Sequence, residues 1–324
     1  MKHSWKITGI LLIMFFVTQL IGIAVINSYT PQIETVTING TEQNITINPL
    51  PFGLTTPEVP KEDFKLNLQF LVTLILLFVV SISLVFFLTK IKSVLFLRIW
   101  FFVVVIMALG ITLNALFFNL KIPYASTLAL IIALPLAIVK IFRRNILVHN
   151  FTELMIYPGI AAVFVPILNI WTVILLLILI SAYDIWAVWH SGFMQKMAKF
   201  QIDKLKLFSG FFIPTMSKKD KDKIQKINQK YKNIKTAEKH FKKQKIKVSL
   251  AILGGGDVIF PIIAAGIFLR VFGIIPALSI TLFSTIALFS LFYYAKKGKF
   301  YPAMPFLTAG IFLGMIVGYL IRFI

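Results

Sequence analysis

Two acidic residues stand where acids are costly: Asp184 lies in the apolar run 170–190 and Asp257 in the apolar run 248–270. A carboxylate at the centre of a membrane helix costs about 2.5–3.5 kcal/mol on insertion scales, so such groups usually face a cavity or each other and serve function. Two carboxyl groups brought together do not readily both ionise, and the pair shares one proton over a broad pH range. One can then act as base toward a water while the other donates a proton to a peptide carbonyl. Such a pair hydrolyses an amide without a metal or other cofactor. By residue type alone, the same two acids equally suit a cation or proton site in a transporter or channel.

Other chemistries find little support. Of the 12 acids, five fall in 28–66, four (Asp203, Asp220, Asp222 and Glu238) fall in 191–247, and Glu153 is read at the start of a span beginning at residue 151. Cysteine is absent, which excludes a thiol nucleophile, a thiolate metal site and disulfides. The four histidines show no HExxH spacing and no GxSG run occurs, so zinc and serine hydrolysis are poorly supported. No cofactor and no metal is expected.

The elements that must hold the two acids are membrane helices. The chain has 324 residues, 58% of them hydrophobic and only 14% charged, with a mean hydropathy of +0.88, far more apolar than a soluble domain can hide in one core. A span takes about 20 apolar residues. The runs that qualify are 7–27, 67–89, 94–118, 123–142, 151–168, 170–190, 248–270, 272–294 and 301–323. The predicted class is therefore an all-α polytopic membrane protein of about nine transmembrane helices. Three parts follow: a six-helix part, 1–190, carrying Asp184; a basic loop, 191–247; and a three-helix part, 248–324, carrying Asp257.

Charge sets the expected orientation. All 17 basic residues of 191–247 are lysines, out of 33 Lys and Arg in the chain. With the N-terminus in the cytoplasm, 28 of the 33 lie inside, and the positive-inside rule selects that arrangement. The 191–247 loop is then cytoplasmic, while 28–66 and the C-terminus are exterior. The net charge of +21 reflects this loop, which suits anionic lipid better than nucleic acid. Within it, Ile224, Ile227, Tyr231, Ile234 and Phe241 recur at helical spacing and predict an amphipathic surface helix. Upstream, the apolar 205–214 stretch is read as an interfacial element, or as a short strand able to pair with unfolded substrate. By helix rise, about 1.5 Å per residue, Asp184 and Asp257 sit roughly 9 and 14 Å from the cytoplasmic ends of their spans. Unwinding at Gly254, Gly255 and Gly256 would absorb that difference, because successive glycines loosen a helix and admit another backbone.

The local sequences then narrow the choice. Asp184 follows Tyr183, Asp257 follows Gly254-Gly255-Gly256, and the last span begins with Pro302-Ala303-Met304-Pro305. These stretches resemble, in order, the YD, GxGD and PAL motifs of the presenilin and signal peptide peptidase family, on the sixth, seventh and ninth spans. Met304 stands where the family usually has Leu, a swap of similar volume. The resemblance implies a presenilin-like fold, intramembrane aspartyl proteolysis of transmembrane helices or signal peptides, and a catalytic pair at Asp184 and Asp257. It also implies active-site roles for Tyr183, the three glycines and the 302–305 element. The Ile, Phe and Lys bias without cysteine has a prokaryotic character, in keeping with an archaeal homologue. A prepilin or preflagellin peptidase shares GxGD chemistry, but it generally has fewer spans and lacks the PAL-like element.

Overall fold

The computed structural model describes residues 5–30, 32–38, 41–47, 51–52, 94–143, 145–191, 209–216, 248–295 and 301–322, with isolated helical positions between 68 and 84. Helices α1 (Trp5–Ser28), α2 (Val94–Asn119), α3 (Ala125–Ile138), α4 (Ile146–Phe164), α5 (Ile170–Trp186), α6 (Gly255–Phe272), α7 (Ile274–Tyr294) and α8 (Met304–Ile321) make up the bundle. Among the described residues, eight helical segments are long and apolar enough to cross a membrane. Within the predicted span 67–89, Leu68, Val72, Leu76, Val80 and Leu84 are helical and exposed, at the four-residue spacing of one helix face. The amphipathic helix predicted within 223–247 lies outside the described residues.

Helix α6 is the hub. It packs against α1, α4, α5, α7 and α8, and the core gathers Phe15 and Ile23 of α1, Ala161 of α4, Leu177 of α5, Ile262 of α6, Ile280 of α7 and Ile311 of α8. Gln19, fully buried on α1, donates from Nε2 to the Val258 carbonyl at 2.9 Å, tying α1 to the first turn of α6. The stripe Gly310, Gly314 and Gly318 serves packing. A Cβ at Gly314 would come within 2.6 Å of the Ile280 Cα, so α7 and α8 approach backbone to backbone. At the end of the bundle opposite Asp184 and Asp257, Tyr29 donates to the Ile111 carbonyl (2.6 Å) and accepts from Asn114 Nδ2 (2.9 Å). Burial pushes this phenol up to about 12, so it remains a donor across physiological pH.

Two expectations are corrected, and one segment gains structure that was not assigned to it. The run 248–270 is not one helix: β4 (Val248–Gly254) precedes α6 and pairs antiparallel with β3 (Gly210–Met216). The β-branched and apolar residues that qualified it as a span build a strand, and the glycines mark the switch from strand to helix. The segment 28–66 contains a hairpin, β1 (Gln32–Ile38) and β2 (Thr41–Ile47), in the register Gln32↔Ile47. The fifth span runs from Ile146 to Phe164 rather than over 151–168. Asn145 caps it by accepting from the Leu147 and Val148 N–H groups, satisfying donors that begin the helix five residues early.

Candidate active site

Asp184 is the third residue from the end of α5 and Asp257 is the third residue of α6. Both lie at the end of the bundle where α8 begins. Asp184 is 6% exposed, and its Oδ2 accepts the backbone N–H of Met304 at 3.0 Å; the Ala303 N–H faces the same carboxyl. Pro302 and Pro305 cannot donate, so the two N–H groups between the prolines are those aimed at Asp184. They belong to the first turn of α8, where donors have no partner within the helix. One turn further along both helices, Ser181 Oγ and Thr308 Oγ1 share a hydrogen bond of 2.8 Å, fixing the α5–α8 register.

Asp257 is half-buried, and the Gly254 N–H faces its carboxyl. The Asp184 carboxyl lies close enough to act on it by charge. The middle glycine is the most constrained of the three. A Cβ on Gly255 would fall 2.7 Å from Ser209 Oγ and 2.8 Å from Tyr157 Oη, whereas one on Gly256 would find its nearest neighbour, Phe260, at 3.9 Å. Tyr183, next to Asp184 in the sequence, is 41% exposed, and its ring lies against Trp186 on the outer face of α5.

Residues 51–324 match the family described as signal-peptide peptidase, presenilin aspartyl protease. The chain belongs to that family. The protease also shares its fold with two solved structures of a presenilin family intramembrane aspartate protease. One, in space group C222, is 18% identical with a TM-score of 0.58, covering 97% of this chain and 99% of that one. The other, in P2, is 18% identical with a TM-score of 0.56 and covers 96% of each chain. No curated protein sequence matches it. The family makes this chain a multi-pass intramembrane aspartyl protease and does not favour the ion-carrier alternative.

In this protease, β4 leads directly into the turn of Asp257, and β3 pairs with it. Phe212 donates its N–H to Asn150 Oδ1 (3.2 Å) and accepts at its carbonyl from Asn150 Nδ2 (2.9 Å), while the Gly210 carbonyl meets His149 Nε2 at 2.9 Å. Backbone groups alternate sides along a strand. Positions 210, 212 and 214 thus face α4, and Pro214 has no N–H to offer. The opposite edge of β3 is engaged by β4 through Phe211↔Leu253 and Ile213↔Ala251. By the same alternation, Leu250 and Ile252 turn their N–H and C=O groups away from β3, toward an edge that no third strand occupies among the described residues. Gly254 continues that edge, and its N–H is the one facing Asp257.

A buried polar cluster on α4 escaped the sequence reading. Glu153 is not at the start of its span but seven residues inside it, 1% exposed, and ion-paired with Lys140 of the π-helical turn Val139–Arg143. It is a third acid within the membrane helices. Lys140, one of the 28 basic residues that the charge rule assigns to the inside, is itself buried, and its Nζ is 3.3 Å from His149 Nδ1. The signal available in the sequence was His149, Glu153 and Tyr157 at successive four-residue steps, one face of a helix, with a lysine ending the preceding span.

Proposed function

We propose that Asp184 and Asp257 are the catalytic pair of a GxGD-type intramembrane endopeptidase that cleaves within the transmembrane helices of other membrane proteins. The observation that carries this reading is the convergence of two helix ends on one pair of acids: Asp184 on the first N–H groups of α8, and Asp257 at the first turn of α6 within charge reach of it. One carboxylate removes a proton from water as the other protonates the scissile carbonyl oxygen. The resulting tetrahedral adduct collapses with proton transfer to the leaving amine, and the pair returns to its starting state. The backbone grip on Asp184 preorganises it for this exchange.

The substrate is read as a helix whose local unwinding adds a strand to the outer edge of β4. The apolar 205–214 stretch is the other candidate for that pairing. Asn150 and His149 occupy the outward groups of β3, so the free edge of β4, ending at Gly254 beside Asp257, is the better template. The orientation argued from charge stands as part of this proposal: N-terminus and 191–247 in the cytoplasm, 28–66 and C-terminus outside, in the cell membrane, with the lysine-rich loop on anionic lipid. Substrates with an exterior N-terminus then suit the site.

The test is incubation of purified protein with a model transmembrane substrate, with and without a transition-state-mimicking aspartyl protease inhibitor. Cleavage that the inhibitor stops is the expected result. Absence of cleavage, together with proton or cation flux in proteoliposomes lost in the Asp variants, would return the acids to ion handling.

A further inference from the structure

We propose that the stripe His149–Glu153–Tyr157 on α4, locked by Lys140, is a positioning device for Asp257, seating the Tyr157 hydroxyl against Gly255 and so fixing the turn from which Asp257 enters the site. The inference rests on the protease reading above and adds residues that no family motif includes.

The bonding order within the stripe follows from donor and acceptor chemistry. The Gly210 carbonyl can only accept, so His149 Nε2 carries a proton and donates to it. The Lys140 ammonium can only donate, so His149 Nδ1 accepts from it. The ring is thereby held as one neutral tautomer, packed on Phe212 with centroids 4.3 Å apart. Lys140 also holds Glu153 Oε1, and among the described residues Oε2 is buried with no well-formed hydrogen bond. Tyr157 Oη, one turn on, is likewise buried, and it faces Glu153, Ser209 and the charge of Asp257. The ring is braced edge-on by Phe211 at 5.8 Å. Its hydroxyl occupies the place a side chain at residue 255 would take, two residues before Asp257.

Stability alone does not account for such an arrangement. Replacing a buried ion pair by apolar residues of similar volume is often neutral or stabilising, whereas removing one partner is destabilising. An ion pair kept among membrane helices therefore points to a geometric task. Here the pair fixes a carboxylate below a tyrosine that touches the glycine turn, and the same α4 face holds the outer edge of β3 through His149 and Asn150.

The experiment compares wild type, Tyr157→Phe, Glu153→Gln and the double variant Lys140→Met/Glu153→Met. It measures kcat and KM on a model transmembrane substrate, thermal stability in detergent, and hydrogen exchange of the amides from residue 253 to 258. Tyr157→Phe is expected to melt within a few degrees of wild type and keep KM within twofold, with kcat at least tenfold lower and faster exchange in the turn. Glu153→Gln is expected to lower both melting temperature and kcat. The double variant is expected to regain melting temperature but not kcat. Wild-type kcat and exchange in Tyr157→Phe, or recovery of kcat together with stability in the double variant, would overturn the proposal and leave the stripe a folding element. If wild type itself cleaves nothing, the protease reading fails. The exchange measurement then still decides, since unchanged exchange in Tyr157→Phe overturns the positioning claim by itself.

Discussion

Asp184 Oδ2 accepts the Met304 backbone N–H at 3.0 Å, so the carboxyl on α5 is gripped by the main chain at the start of α8. The Met304 side chain, 4% exposed, packs into the core while its main chain makes this contact. The two functions separate cleanly. Met304→Leu conserves volume and is expected to leave cleavage within about twofold of wild type. Replacing the 303–304 amide by an ester deletes the N–H and otherwise only weakens the Ala303 carbonyl, which accepts from the Leu307 N–H at 3.1 Å. A hydrogen bond to a charged group is worth about 1.5–3 kcal/mol, so kcat is expected to fall by about 10- to 100-fold with little change in fold. Cleavage assays on both proteins check this, and an ester variant of wild-type rate would remove the backbone grip from the mechanism.

With Asp184 and Asp257 as the proposed pair, Asp184→Asn and Asp257→Asn are each expected to abolish cleavage. The amide keeps the shape of the carboxyl but cannot exchange a proton with water or the scissile carbonyl. Both variants are expected to keep the wild-type elution volume and helical circular dichroism. Appreciable turnover in either one would defeat the paired-acid mechanism.

Much of this site was legible in the sequence, and the losses have physical causes. Asp184 and Asp257 stood out because charge inside apolar runs is rare. The prolines flanking Ala303 and Met304 marked a helix start. Residues 248–254 were read as helix because a buried strand and a membrane helix share one composition, and hydropathy alone does not separate them. The switch was nonetheless marked by the three glycines before Asp257. Glu153 escapes hydropathy because the apolar run starts at residue 151, past Asn145, the residue that caps the helix. The β1–β2 hairpin carried its own signal: Asn39-Gly40 between two β-branched stretches is a favoured two-residue hairpin sequence. The contact of Tyr157 with Gly255 joins residues almost a hundred positions apart and is written in no local pattern.

The triple glycine is expected to respond unequally. Gly255→Ala forces a Cβ to within 2.7 Å of Ser209 Oγ and 2.8 Å of Tyr157 Oη, an overpacking cost of about 1–3 kcal/mol, and displaces the turn that carries Asp257. Activity is expected to drop at least 100-fold, with a lower melting temperature. Gly256→Ala meets open space in the first turn of α6 and is expected to hold or raise thermal stability, by up to about 1 kcal/mol from helix propensity. Melting curves of the two variants side by side check the ordering, and equal destabilisation would contradict it.

The edge chosen for substrate pairing makes the last distinction. Ile252 turns its N–H away from β3, whereas Ile213 turns its N–H into the β3–β4 ladder opposite Ala251. Proline is tolerated in a strand where the missing donor faces outward and disrupts one where it faces a partner. Ile213→Pro is therefore expected to destabilise the sheet and lose activity together with stability. Ile252→Pro is expected to leave the melting temperature within a few degrees of wild type and yet cut cleavage by at least tenfold, mainly through KM, because an added strand would lose a main-chain bond next to the scissile position. Measuring KM and melting temperature for both variants separates the two edges. Wild-type cleavage by Ile252→Pro would mean that substrate is not held by strand addition to β4.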